Sequence, residues 1–118
     1  MDLRIDKGDI LARLLSNAVH RAEVVSGNIA NANTPGYQRK VLRFEDLLRD
    51  TLRGSGDPAE VEPRLEVDAL TPARPDGNNV NLELEMNSLR ENRLLYESYA
   101  AILGAKFEML RSSIESGR

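Results

Sequence analysis

In the last third of the chain, Leu82, Met86, Leu89, Arg93, Tyr96, Ala100, Leu103, Phe107, Leu110 and Ile114 alternate spacings of four and three residues without a break. Side chains repeating on this period form one stripe along a helix, whereas a strand needs period two. Only Arg93 interrupts the apolar character of the stripe. Asn81 is suited to cap the helix N-terminus, and Glu83 and Glu85 place negative charge at the positive end of its dipole. The pattern predicts a helix of about 35 residues, roughly 50 Å long at ~1.5 Å per residue. Such a rod is too long for the interior of a 118-residue globule.

A second stripe lies near the other end. Leu11, Leu15, Ala18, Ala22, Val25, Ile29 and Ala32 follow the same alternation, with Asp9 as the expected N-cap. Pro35 biases Thr34 away from the helical region, so this helix should stop near Asn33 after about 25 residues, or about 37 Å. Both helices carry apolar residues beside their stripes: Ile10, Leu14, Val19 and Val24 on the first, and Leu84, Leu94, Leu95, Tyr99, Ile102 and Met109 on the last. Burying one Leu or Ile contributes about 1.5–3 kcal/mol. A two-helix hairpin cannot cover two flanks on each rod, so the pattern predicts lateral packing against other chains. Ala100, Ala101, Gly104 and Ala105 would allow close approach. The competing arrangement is a small bundle completed within the chain by a middle helix.

The middle reads differently. Phe44, Leu47, Leu48 and Leu52 suggest a short amphipathic helix, with Arg39, Arg43, Arg49 and Arg53 among its polar neighbours. Gly54, Gly56, Pro58, Pro63, Pro72, Pro75 and Gly77 then exclude a continuous helix. Leu65, Val67 and Ala69 fit one short strand, which has no evident partner, so residues 54–79 are expected to be mobile in a lone subunit. The fold expected is all-α. Long terminal helices pair as a coiled-coil-like hairpin (residues 1–37 and 80–118), joined by a short helix and a partly disordered linker (38–79).

Composition narrows the function. There is no Trp, two Phe and three Tyr, so the apolar mass is aliphatic and suits helical seams. A net charge of −3 gives no reason to expect nucleic acid or an anionic membrane. With no cysteine, disulfides and thiolate chemistry are excluded. The first residues show no basic segment followed by an apolar core, and no run approaches the ~20 apolar residues needed to span a bilayer. His20 is the sole histidine and has no ligand cluster around it, so neither metal nor cofactor is expected. Glu83, Glu85 and Glu91, or Asp46 and Asp50, read as solvated helix faces and not as a catalytic carboxylate pair. Gly54-Ser55-Gly56 lacks the Lys-Ser/Thr and the helix of a phosphate loop, and Ser112 and Ser113 have no activating base. An enzyme has no supporting constellation here.

The most specific string is Asn28-Ile29-Ala30-Asn31-Ala32-Asn33-Thr34-Pro35-Gly36-Tyr37, which closes the first helix. Mechanically it ends in a type II turn, with Pro at the first central position and Gly supplying positive φ at the second. Following an N-terminal helix, it resembles the signature of bacterial flagellar rod and hook axial proteins. Two further stretches, Arg74 to Met86 and Lys106 to Arg111, are similar to the short proximal rod members of that family. Asn81 departs conservatively from the Asp common there.

The resemblance implies terminal helices paired into the inner coiled-coil layer of a torque-carrying tubular rod. Partners would be other rod proteins, further copies of this chain, and the adaptor joining the rod to the MS-ring. It also implies export through the flagellar type III apparatus without a cleaved signal. Phe44 and Leu48 match a Phe-x-x-x-hydrophobic export element, although an ordinary amphipathic turn would place them alike. The alternative function is a helical adaptor or chaperone-like module that uses the same stripes on one soluble partner.

Overall fold

The computed structural model describes residues 7–117. In chain order the elements are helix α1 (Lys7–Ala30), strand β1 (Lys40–Arg43), helix α2 (Glu45–Arg53), a 3-10 turn (Pro58–Glu60), strand β2 (Arg64–Val67) and helix α3 (Leu82–Ser116). The molecule is mostly helical with one small sheet. It is elongated, 68 × 29 × 15 Å, with a radius of gyration of 18.2 Å. A compact domain of 100 residues would have a radius of about 13 Å.

α3 is the 35-residue helix its pattern demands. Asn81 caps it in extended conformation, its side chain accepting from the Leu84 amide at 3.3 Å. α1 spans 24 residues and stops at Ala30, three residues short of Asn33. There the ladder tightens, the Ala32 amide donating to the Ile29 carbonyl at 3.2 Å. Asp9, expected as a cap, lies inside α1. The reading of the first few residues as free of a signal segment falls outside the described residues.

The helices run antiparallel: Asn28 meets Glu85 at one end, and Asn92 donates to the Ala18 carbonyl further along at 2.7 Å. The facing sides differ in character. On α1 the expected stripe does turn inward, with Ala18, Val25 and Ala32 buried and Leu11, Leu15, Ala22 and Ile29 half-buried. On α3 the side facing α1 is polar. Its spine is Glu85 (0% exposed), Asn92 (5%), Tyr99 and Lys106, each one heptad after the last, with Leu89 and Leu103 half-buried beside it. The apolar stripe read from the sequence therefore sits to one side of the intrachain contact. Glu85 and Asn92 can occupy that position because both are partnered: Asn92 also accepts from Arg21 at 3.1 Å, and Glu85 is held by Arg39 and Asn28.

The middle segment corrects the expectation of a lone, unpaired strand. β2 pairs antiparallel with β1 in the register Lys40↔Val67, Val41↔Glu66, Leu42↔Leu65 and Arg43↔Arg64. β1 went unread because Lys40-Val41-Leu42-Arg43 has only two apolar residues and its partner is far along the chain. The element is small and the purely all-α expectation gives way to a mostly helical fold with a two-stranded ribbon.

This segment is stapled along α1. Phe44, Leu42 and Leu48 are buried at 1%, 4% and 5% exposure. The Arg13 guanidinium lies 5.1 Å from the centre of the Phe44 ring and donates to the carbonyls of Pro58 (2.7 Å) and Val61. Arg21 and Asn17 both donate to Glu45. α1 is thus covered on one side by α3 and on another by the middle segment, and of its flanking residues only Val19 is half exposed. α3 has no such second cover.

Candidate assembly site

Two glycine turns, far apart in sequence, meet where α1 ends and α3 begins. In the first, Pro35 and Gly36 occupy the central positions, and the Tyr37 amide closes on the Thr34 carbonyl at 3.2 Å. Gly36 has φ +75, as a type II turn requires. In the second, the Gly77 amide donates to the Arg74 carbonyl at 2.8 Å and the Arg74 amide to the Asn78 carbonyl at 2.9 Å. Gly77, at φ +86, makes the bulge of this three-residue loop. The turns touch. The Gly36 amide donates to the Asp76 carbonyl at 2.8 Å, and a Cβ on Gly77 would lie 3.2 Å from Gly36 Cα. Gly77→Ala should therefore cost about 1–3 kcal/mol, combining positive-φ strain with backbone contact, measurable as a lowered urea midpoint at unchanged m-value.

Asparagines do the joining. Asn28, fully buried, donates from Nδ2 to the Lys40 carbonyl (2.8 Å), and its Oδ1 accepts from the Lys40 amide (2.9 Å) and the Tyr37 hydroxyl (3.0 Å). One side chain thus serves as the neighbouring strand for β1. Asn78 donates to the carbonyls of Asn31 and Thr34 at 2.8 and 2.9 Å, fastening the α3 lead-in to the first turn. Asn79 accepts from the Arg39 amide at 2.7 Å and donates to the Asp68 carbonyl at 2.8 Å, closing the end of the ribbon. Asn31 donates to the Gly27 carbonyl at 2.8 Å and so stays within its own helix end. Of the ten-residue string, Asn28, Asn31, Ala32 and Tyr37 face inward, while Ala30, Asn33, Thr34, Pro35 and Gly36 are exposed.

Charges complete this hub. The Arg39 guanidinium bridges Glu85 and Asp68, both at 2.6 Å. Hydrogen bonding from Thr71, and then from Arg39, holds the Asp68 carboxyl well below the usual carboxylate range. Burial, and then the nearby Glu85 charge, push the Tyr37 hydroxyl up. Because the folded-state pKa of Asp68 is depressed, its contribution to stability is present above the unfolded value near pH 4 and is lost as pH falls below it. Asp68→Asn should flatten the acid limb of a stability-versus-pH curve and leave its neutral limb lower than wild type.

Sequence reasoning did not find Arg39, Asp68, Asn78, Asn79 or the inward role of Glu85. Two Pro-Gly-type turns each bordered by asparagines were the available signal. Arg39 and Arg43, read from the sequence as polar neighbours of the middle helix, are engaged with carboxylates: Arg43 contacts Asp46 at 2.5 Å and Glu66 at 3.0 Å. His20 is exposed, and among the described residues no cluster of His, Cys, Asp or Glu is arranged to hold a metal. Among the same residues no helix is long and apolar enough to cross a membrane.

Beyond the hub, α3 presents its apolar residues to solvent on both sides of the polar spine. On one side are Leu82 (51% exposed), Met86, Tyr96, Phe107 (61%) and Ile114 (67%); on the other are Leu84, Leu95, Ile102 and Met109. Of the expected stripe, Leu89 and Leu103 are half-buried, and Ala100 and Leu110 are exposed. Phe44 and Leu48, the residues of the export-like element, are buried in the subunit.

A rigid polar joint at one end and a long helix with uncovered apolar flanks describe a subunit built to pack beside others. Residues 14–38, which contain the Asn28–Tyr37 string, match the family described as "Flagella basal body rod protein". Proteins named "Flagellar basal body rod protein FlgB" are similar over nearly the full length. That of Yersinia ruckeri is 30% identical over 96% of this chain and 99% of its own. That of Aeromonas hydrophila is 30% identical over 86% of each, and that of Bacillus subtilis (strain 168) is 29% identical over 88% of this chain and 92% of its own. The chain belongs to the FlgB family of flagellar basal body rod proteins.

Proposed function

We propose that this structural subunit of the flagellar proximal rod works by interlocking α3 with neighbouring rod subunits, so that torque passes through paired helices along the tube. The reading is supported above all by the uncovered flanks of α3: side chains such as Phe107, Met109 and Ile114 lie open to solvent on a helix whose intrachain contact is polar. Burying them against neighbours adds about 1.5–3 kcal/mol per large side chain, whereas the isolated subunit gains nothing from them.

In this reading the coiled-coil layer forms between subunits as well as within one. Neighbours are other rod proteins, further copies of this chain, and the adaptor joining the rod to the MS-ring. The protein functions in the basal body, reaching it through the flagellar type III apparatus. With Phe44 and Leu48 inside the folded subunit, an export element at that position is accessible only in the unfolded chain. No catalytic role is part of this reading.

In a strain lacking the gene, expression of the wild-type chain should restore swimming, and the protein should co-purify with isolated rods. Restored swimming with the chain absent from rods, or a stoichiometric complex with one non-flagellar protein, would sink the proposal in favour of a soluble adaptor.

A further inference from the structure

We infer that two copies of the unassembled chain join edge to edge through β2, forming a four-stranded antiparallel sheet with Leu65 of one copy opposite Leu65 of the other. A two-stranded ribbon is marginal alone, and an open strand edge is a template for another strand. The outer side of β1 is already occupied: Asn28 takes both backbone groups of Lys40, Leu42 is buried, and Asn79 bridges the ladder's end. The Asp68 amide donates to the Arg39 carbonyl at 2.9 Å, which sets the antiparallel alternation. Arg64 and Glu66 turn their backbone groups to β1, and Leu65 and Val67 turn theirs outward.

The side chains favour a second copy as the occupant, and they choose the register. With Leu65 opposite Leu65, Arg64 of each copy lies across from Glu66 of the other, giving two opposite-charge cross-strand pairs; Arg64 is 63% exposed and Glu66 38%. Bringing Glu66 against Asp68 opposes like charges twice, and bringing Glu66 against Glu66 sets one like-charge pair between Arg64–Asp68 pairs whose carboxylate is already taken by Arg39. Leu65 and Val67, 51% and 54% exposed, then form one continuous apolar strip across the junction. Pro63, which has no amide hydrogen, ends the ladder opposite Val67. The symmetric pairing is independent of the rod reading, since it describes the free chain.

The interface is small, so sedimentation equilibrium on the full chain should show a dimer forming at about 10–100 µM. Arg64→Glu or Glu66→Arg alone should raise the dissociation constant about tenfold, and the double exchange Arg64→Glu/Glu66→Arg should restore it. Val67→Pro, at an amide that β1 does not use, should abolish the dimer while circular dichroism stays unchanged. Ile114→Asp on α3 should leave it intact. A chain monomeric throughout this range, a dimer indifferent to the charge exchange, or one lost on Ile114→Asp would overturn the inference.

Discussion

Arg39→Met should destabilise the subunit by about 3–5 kcal/mol, the largest single effect expected in this chain, because it strands a fully buried carboxylate without its cation. Domains of this size have about 5–15 kcal/mol in total, so much of the population would unfold in mild urea. Glu85 would retain only Asn28, at 3.3 Å, as a side-chain partner. Asp68 is better placed to survive the loss, since Thr71 and the amides of Leu70 and Thr71 also donate to it. Pairing the change with Glu85→Leu should recover most of the stability, since replacing both members of a buried ion pair is often neutral. Chemical denaturation of the two variants checks this. A single variant as stable as wild type would mean that water replaces the lost cation around the carboxylate at little cost.

Phe107→Asp or Ile114→Asp should abolish rod incorporation and swimming while changing subunit stability by no more than about 0.5 kcal/mol. Both side chains are more than half exposed, so a carboxylate there stays hydrated in the free chain. In an apolar contact between subunits, the same charge must be desolvated, costing several kcal/mol at each repeated interface. Rod isolation, together with urea unfolding of the purified variants, separates the two effects. Leu103→Asp and Ile29→Asp should also stop swimming, yet both positions are half-buried within the subunit and would weaken its fold as well. His20→Ala, at an exposed position, should swim normally. Normal motility with Asp at 107 and 114 would remove the exposed flank of α3 from the assembly account.

The long helices were legible because helical order is local: the period of α3, the Asn81 cap and the Pro35 stop are all written within a few residues of where they act. The hub was illegible for the opposite reason. Arg39 and Glu85 lie 46 residues apart, and nothing near Arg39 distinguishes it from Arg49 or Arg53. The heptad reading also identified the apolar stripe of α3 without identifying what it faces. Periodicity reports that a stripe exists, and only the partners of Glu85 and Asn92 decide that the intrachain contact falls beside it. For the same reason nothing in the ten-residue string marks Asn28 as the substitute strand that orders Lys40.

The paired glycine turns lock the two long helices where α1 ends and α3 begins, and Asn92 ties them again at Ala18 and Arg21. At the far end, α3 runs on past Lys106 with Phe107, Met109, Leu110 and Ile114 open to solvent. The subunit is therefore fastened by asparagines at one end and leaves the last turns of α3 uncovered by its own chain at the other. In the packing proposed above, a neighbour would seat against that uncovered tip, while the asparagine joint sets the direction in which α3 leaves its own subunit.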